Sequence, residues 1–167
     1  MLISPAPEVC TSALVNGRLR SAFTEWAVVG CFGDNLDTTA DTLIGNLSSP
    51  VDREALKQLG ICVNYNAYGS QPGDLHFHPA DLYRRMQRHT SPTALLRDDR
   101  DLFETLVAAY ETDMRAAQSA PRAVDDDEIA VVSLPDEAWA RRVSGVYGND
   151  LANQSPDKAH AVLTDIG

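Results

Sequence analysis

The stretch WAVVGCFGDN, residues 26–35, joins an apolar segment to an acidic end. Residues 26–32 are too apolar for a solvated position, and their length fits either a strand or a buried helix. A carboxylate is costly to bury unless it is paired or bound to a cation. We therefore expect Asp34 at the mouth of the buried segment, as a hard-metal ligand or as a simple cap or turn residue.

The composition is that of a globular protein: 167 residues, 44% hydrophobic and 23% charged. The length allows one domain, or one domain and part of another. A net charge of -10 disfavours a binder of long duplex nucleic acid. Three cysteines without C-x-x-C spacing indicate reduced thiols. Together with the absence of a signal peptide or a membrane-spanning apolar run, they predict a cytoplasmic protein.

The sequence predicts an α/β fold that is mostly helical in its first part and contains a β-α-β unit near its end. The opening residues MLIS look like the end of a strand, and helices should then dominate up to residue 119. The helix in VDREALKQLG should end at Gly60, and a long helix should begin at Arg100. SAPRAVDDDE is expected to be a linker with a solvated acidic turn. A β-α-β unit should follow, made of the strand IAVVSLP, a helix and the strand AHAVLTDIG. Such a unit requires its two strands to be parallel.

Two further stretches carry polar side chains suited to binding. In VNYNAYG, residues 63–69, Asn64 and Asn66 could orient a phosphate or a metal-bound water, or form turn hydrogen bonds. In WARRVSGVYGNDLAN, residues 139–153, paired arginines precede Gly145 and Gly148, which favour close helix packing over a ligand contact. His76 and His78 lack further ligands at zinc-site spacing, so a zinc site is not expected.

The three stretches, in this order, resemble blocks of the DHH phosphoesterases, particularly the RecJ-like branch. VVGCFGD is similar to the family block A-L-G-T-V-A-D, whose aspartate binds a two-metal centre, and this implies a metal role for Asp34. VNYNAYGS is similar to R-L-N-A-A-G-R, although the family arginine falls at Ser70. WARRVSGVYGNDL is similar to W-H-P-G-V-V-G-I-V-A-S-R-L, although Ala140 replaces the family histidine and Asn149 stands where serine is frequent.

The resemblance also implies a domain organisation. Residues 1–99 would be the mostly helical C-terminal half of a DHH catalytic domain, 100–128 a linker helix with an acidic linker, and 129–167 the start of a DHHA1-like domain. The chain has neither a D-H-H triplet nor an H-x-D-x-D cluster. We therefore expect an internal piece whose remaining metal ligands lie in missing parts of the same polypeptide, and which is inactive alone.

The activity implied by the resemblance is divalent-metal-dependent hydrolysis of phosphodiester or phosphomonoester bonds. Manganese is the expected cofactor and magnesium is possible. The expected substrates are nucleotides, short oligonucleotides or polyphosphate, with no membrane partner. The alternatives are a non-catalytic α/β protein and a nucleotide-binding module that uses the helix with Arg141 and Arg142. The candidate site residues are Asp34 for the metal and, for the substrate, Asn64, Asn66, Gly69, Arg142 and Asn149.

Overall fold

The computed structural model describes residues 6–165, and the MLIS segment lies outside them. The described chain is mixed α/β, as expected. Its helices and strands, in chain order, are α1 Thr11–Arg18, α2 Thr24–Gly33, α3 Asp37–Ile44, α4 Arg53–Tyr65, a 3-10 turn Pro72–Asp74, α5 Pro79–Met86, α6 Pro92–Asp98, α7 Arg100–Gln118, β1 Arg122–Asp125, β2 Ile129–Leu134, α8 Ala138–Gln154 and β3 Ala159–Thr164. None of these helices combines the length and apolarity needed to cross a membrane.

The chain divides into two compact units. Of the described residues, the first unit contains 6–64 together with Leu82–Val107. The second contains Tyr65–Asp81 together with 108–165. Residues 65–81 group with the C-terminal part, and α7 contributes residues to both units; the domain boundaries expected near residues 99 and 128 stay predictions.

The apolar stretch in the first unit forms helix α2. The sequence was compatible with a strand or a buried helix, and the structure shows the helix. Val28 and Cys31 are fully buried. Gly33 at the end of α2 meets Gly60 in the middle of α4: a Cβ atom on Gly60 would lie 2.3 Å from the backbone oxygen of Val29, and one on Gly33 would lie 2.9 Å from the Gly60 oxygen. The two helix backbones therefore touch where neither residue has a side chain.

The prediction that Gly60 ends its helix is wrong. Helix α4 continues for five residues beyond it, to Tyr65. A glycine after an amphipathic run is a common stop signal, but here the missing side chain serves the contact with α2.

The long helix was predicted correctly, since α7 runs from Arg100 to Gln118. Its apolar stripe points inward, with Leu102 and Leu106 fully buried and Met114 7% exposed. The same stripe carries one acid, Asp113, which is only 5% exposed.

The predicted β-α-β arrangement is confirmed in the second compact unit. Strand β2 pairs in parallel with β3, from Ile129 opposite Ala159 to Leu134 opposite Thr164, and α8 connects them. The expected linker contains an unpredicted strand, β1, which pairs antiparallel with β2. Its four residues are all exposed, so they show no alternation of apolar and polar positions. Of the acidic residues 125–128, Asp125 ends β1 and residues 126–128 form an exposed turn, in which Asp126 accepts hydrogen bonds from two backbone N–H groups.

We predict that Gly60→Ala destabilises the chain by about 1–3 kcal/mol, because the new methyl group would force α2 and α4 apart. Gly17→Ala is the matched control, since a Cβ there meets no atom within 4 Å. It should be neutral or slightly stabilising because alanine is the better helix former. Urea unfolding followed by circular dichroism measures both. Equal stabilities of the two variants would contradict the close contact.

Candidate functional site

Asp34 is the first residue after α2, and its side chain is exposed. Its backbone N–H donates to the Gly30 carbonyl at 3.1 Å, which closes the last turn of the helix. A Cβ on the preceding residue, Gly33, would lie 3.4 Å from the Cβ of Asn64, so Asn64 packs beside this helix end. The first unit thus contains two of the candidate residues, Asp34, expected as a metal ligand, and Asn64, expected as a substrate contact, at one end of α2.

The residues described do not by themselves complete a metal centre around Asp34. Within residues 6–165, no group of three or more histidine, cysteine, aspartate or glutamate side chains could hold a metal ion. A divalent ion such as Mg²⁺ or Mn²⁺ takes about six ligands, and a two-metal centre needs several carboxylates or imidazoles. Within the described residues, Asp34 is therefore an exposed carboxylate without a formed metal site around it.

Asn66 uses its carboxamide inside the protein. It is 2% exposed, its Nδ2 donates to the Phe77 carbonyl at 2.9 Å, and its Oδ1 accepts from the Phe77 N–H at 3.1 Å. This pair of bonds closes the loop between Asn66 and Phe77. The sequence offered turn hydrogen bonds as the alternative for this carboxamide; its bonds here go to the backbone of Phe77, eleven residues along the chain.

A polar cluster in the second unit contains the buried Tyr65 and Asp113, the largely buried Arg142 side chain and the exposed His76, and we call these four residues the Tyr65 network. The Tyr65 hydroxyl donates a short hydrogen bond to Asp113 Oδ2. Arg142 Nε donates to the same carboxylate oxygen at 2.9 Å and to the Tyr65 hydroxyl oxygen at 3.1 Å. His76 Nε2 lies 2.9 Å from that hydroxyl oxygen. The carboxylate and the guanidinium of this network are 7% and 11% exposed.

The directions of these bonds follow from the protons available. The Tyr65 hydroxyl has one hydrogen and gives it to Asp113, so its oxygen accepts from its other partners. His76 must then carry a hydrogen on Nε2. Burial alone would raise the pKa of Asp113, but the bonds from His76, Arg142 and Tyr65 outweigh burial and lower it. Burial, together with the bond to Asp113, raises the pKa of Tyr65 well above its usual value.

Helix α8 also anchors the loop that contains Asp74. Arg141 forms two parallel bonds to this carboxylate, Nε to Oδ2 at 2.9 Å and Nη2 to Oδ1 at 3.0 Å. The hydrogen bond from Arg141 is the main cause that lowers the pKa of Asp74 to about 2. Arg142 Nη1 donates to the Asp74 carbonyl, and the Ser70 N–H donates to the Asp74 carboxylate. Both arginines of the predicted phosphate-binding helix are therefore engaged with acidic or backbone partners.

The glycines near the candidate substrate residues differ in their surroundings. A Cβ on Gly145 would lie 2.6 Å from the ring of Tyr68, so close packing explains this glycine. Gly148 has only a loose contact at 4.0 Å with Val162. Gly69 is exposed, but a Cβ there would lie 3.0 Å from that of Asp74. Asn149 is half-buried on α8.

The structure thus groups the candidate residues by unit. Asp34 and Asn64 belong to the first, whereas Asn66, Gly69, Arg142 and Asn149 belong to the second. Sequence reasoning missed two acids of the second unit, Asp113, which pairs with Arg142, and Asp74, which pairs with Arg141. An acid on the apolar stripe of α7 was the available signal for Asp113, since a charge at a buried helical position requires a partner.

Comparison with known proteins gives no relative. No family model matches the chain, and no curated protein or solved structure matches it. The resemblance to DHH phosphoesterases therefore rests on the order and content of the three sequence blocks.

We predict that Asp113→Asn lowers stability at neutral pH by about 3–5 kcal/mol, because it leaves the Arg142 cation buried without its counter-charge. The lowered pKa of Asp113 determines how the stability difference depends on pH. The carboxylate stabilises the fold above its unfolded pKa of about 3.9, and this contribution is lost as pH falls further through the folded pKa. Urea unfolding at several pH values should therefore show that the difference in the free energy of unfolding between wild type and variant becomes smaller below pH ~4.

Glu104→Gln is the matched control for this experiment. Glu104 lies on the same helix and pairs with Arg100, but both side chains are largely exposed. Its replacement should leave stability unchanged at every pH, because solvent screens an exposed pair. A stability of Asp113→Asn equal to that of this control would contradict the proposed role of the network.

Proposed function

We propose that the chain is part of a divalent-metal-dependent phosphoesterase to which Asp34 contributes a metal ligand. The observation that carries the proposal is the position of this carboxylate: it is exposed, and it directly follows a buried helix whose backbone is fixed against α4 at Gly33 and Gly60. A ligand on a rigid helix end is held in place without conformational cost when a cation binds.

The proposed cofactor is manganese, with magnesium as the alternative, because both ions prefer oxygen ligands such as carboxylates. The described residues do not fit a complete centre, since Asp34 has no companion group of ligands among them. The proposal therefore requires ligands from residues other than those described. The chain by itself should not hydrolyse phosphate esters.

The proposed substrates are small phosphate compounds: nucleotides, short oligonucleotides or polyphosphate. A net charge of -10 repels long polyanions, whereas a small phosphate can be held through a metal cation. Among the candidate substrate contacts, Asn64 is the one that lies near Asp34, because it packs beside Gly33. The remaining proposed contacts are Asn66, Gly69, Arg142 and Asn149.

A non-catalytic α/β protein is the second candidate, and two observations favour it. The Asn66 carboxamide is bonded to the backbone of Phe77, and the Arg142 guanidinium is bonded to Asp113 and Tyr65. Both side chains therefore have structural partners that a phosphate would have to replace. The same contacts disfavour a nucleotide-binding module built on the arginines of α8.

We predict that Mn²⁺ binds weakly at Asp34 in the chain as it stands. Titration of Mn²⁺ into the ¹⁵N-labelled protein should broaden the amide resonances of residues 33–35, because a bound paramagnetic ion relaxes nearby nuclei. Asp34→Asn should abolish this broadening, since the amide keeps the shape of the side chain but not its charge.

Asp52→Asn is the control for this titration. Asp52 lies in the same unit and accepts a hydrogen bond from the Ala55 N–H, a role that asparagine can keep. The broadening around residue 34 should persist in this variant. Broadening confined to the acidic turn at residues 125–128 would contradict a metal role for Asp34.

The activity itself is tested in a polypeptide that also supplies the remaining ligands. There, Asp34→Asn should lower manganese-dependent hydrolysis of bis-p-nitrophenyl phosphate by roughly 100-fold or more, since supporting residues alone typically cost 10–100-fold. The melting temperature of the metal-free protein should stay the same or rise, because neighbouring acids repel each other without a cation. Near-normal turnover would remove Asp34 from the site and favour the non-catalytic candidate.

A further inference from the structure

Two of the three cysteines lie in direct contact in the first unit. The Sγ atoms of Cys10 and Cys31 are 3.3 Å apart, and the residues are 6% and 0% exposed. Cys10 immediately precedes α1, whereas Cys31 lies in the last turn of α2, three residues before Asp34. The third cysteine, Cys62, is buried on α4.

The backbone holds this pair together. A Cβ on Gly30 would lie 2.1 Å from the Ser12 Oγ, so α1 and α2 touch one residue away from Cys31 and two residues away from Cys10. The Ser12 hydroxyl is also 3.0 Å from the Cys10 sulfur. The short sulfur–sulfur distance therefore follows from helix packing, and not only from the rotamers of two mobile side chains.

We infer that Cys10 and Cys31 form a redox pair that closes to a disulfide when a peroxide oxidises the protein. The sulfur atoms need to approach by only about 1.3 Å to reach bonding distance. This inference is independent of the proposed phosphoesterase function, because it concerns only the two thiols and their surroundings.

The chemistry balances with hydrogen peroxide as the two-electron oxidant. The Cys10 sulfur attacks one peroxide oxygen, the O–O bond breaks, and the products are a sulfenic acid and one water. The Cys31 sulfur then attacks the sulfenic sulfur. The S–S bond forms, the S–O bond breaks, and the hydroxyl leaves as a second water with the remaining thiol proton. Two electrons pass from the two sulfurs to the peroxide.

The environments of the two thiols set this order. Cys10 is the more accessible of the pair, so the oxidant reaches it first. Burial, aided by the hydrogen bond with Cys10, raises the pKa of Cys31 to about 12, which keeps Cys31 protonated and makes it a poor nucleophile toward the peroxide. Closure would tie the segment before α1 to the helix that ends at Asp34.

The test uses the reduced chain and hydrogen peroxide. After treatment, the protein is unfolded, alkylated with N-ethylmaleimide and weighed by mass spectrometry. Three alkylated cysteines are expected before oxidation, and one, Cys62, afterwards. The unalkylated oxidised chain should be about 2 Da lighter because two thiol hydrogens are lost. Proteolysis should release a peptide pair joined through Cys10 and Cys31, and dithiothreitol should reverse the change.

Cys62→Ser is the control variant, and it should still form the disulfide at the same rate. Cys10→Ser and Cys31→Ser should each prevent it. Three alkylated cysteines after oxidation, a disulfide that includes Cys62, or sulfinic acid in place of the link would each overturn the inference. The measurement on the unmutated chain decides the matter even if a cysteine variant folds poorly.

Discussion

The buried ion pair between Arg142 and Asp113 is the constraint on which the second unit depends. Its guanidinium Nε and carboxylate Oδ2 are 2.9 Å apart, and the Tyr65 hydroxyl bonds to both. Because an unpaired charge at this depth would be costly, the pair favours the packing of α8 and the end of α7 that brings the two partners together. The pair thereby fixes geometry, whatever its net contribution to stability.

The same contacts shape the functional account. Two arginines in sequence on one helix are the obvious candidates for phosphate binding, but Arg141 neutralises Asp74 and Arg142 neutralises Asp113. Their charges are used to hold the loop and the helices of their own unit. The proposed chemistry therefore rests on Asp34 in the first unit, where an exposed carboxylate ends a buried helix.

The features that the sequence predicted well have strong local signals. Helix α7 has a complete apolar stripe, and β2, α8 and β3 switch between short apolar runs and a helical period. Asp34 was expected at the mouth of the apolar segment, and it is exposed directly after α2; its metal role stays a prediction.

The features that were missed depend on contacts distant in sequence. Gly60 has the sequence signature of a helix stop. In the structure the helix continues past it, and its missing side chain allows the contact with α2. Strand β1 is fully exposed and has no periodic signal, so its pairing with β2 is visible only in the structure. The association of residues 65–81 with the second unit follows from the partners of Tyr65 and Asp74, which lie on α7 and α8.

A double-mutant cycle between Asp113 and Arg142 tests the central claim most directly. The opening free energy of the second unit would be measured by hydrogen exchange of the β2 amides. The four proteins compared are wild type, Asp113→Asn, Arg142→Gln and the double variant. If the pair fixes this unit, the double variant should lose less stability than the sum of the single losses, by about 1–3 kcal/mol. Losses that add within about 0.5 kcal/mol would show that the two side chains act independently, and would contradict the account.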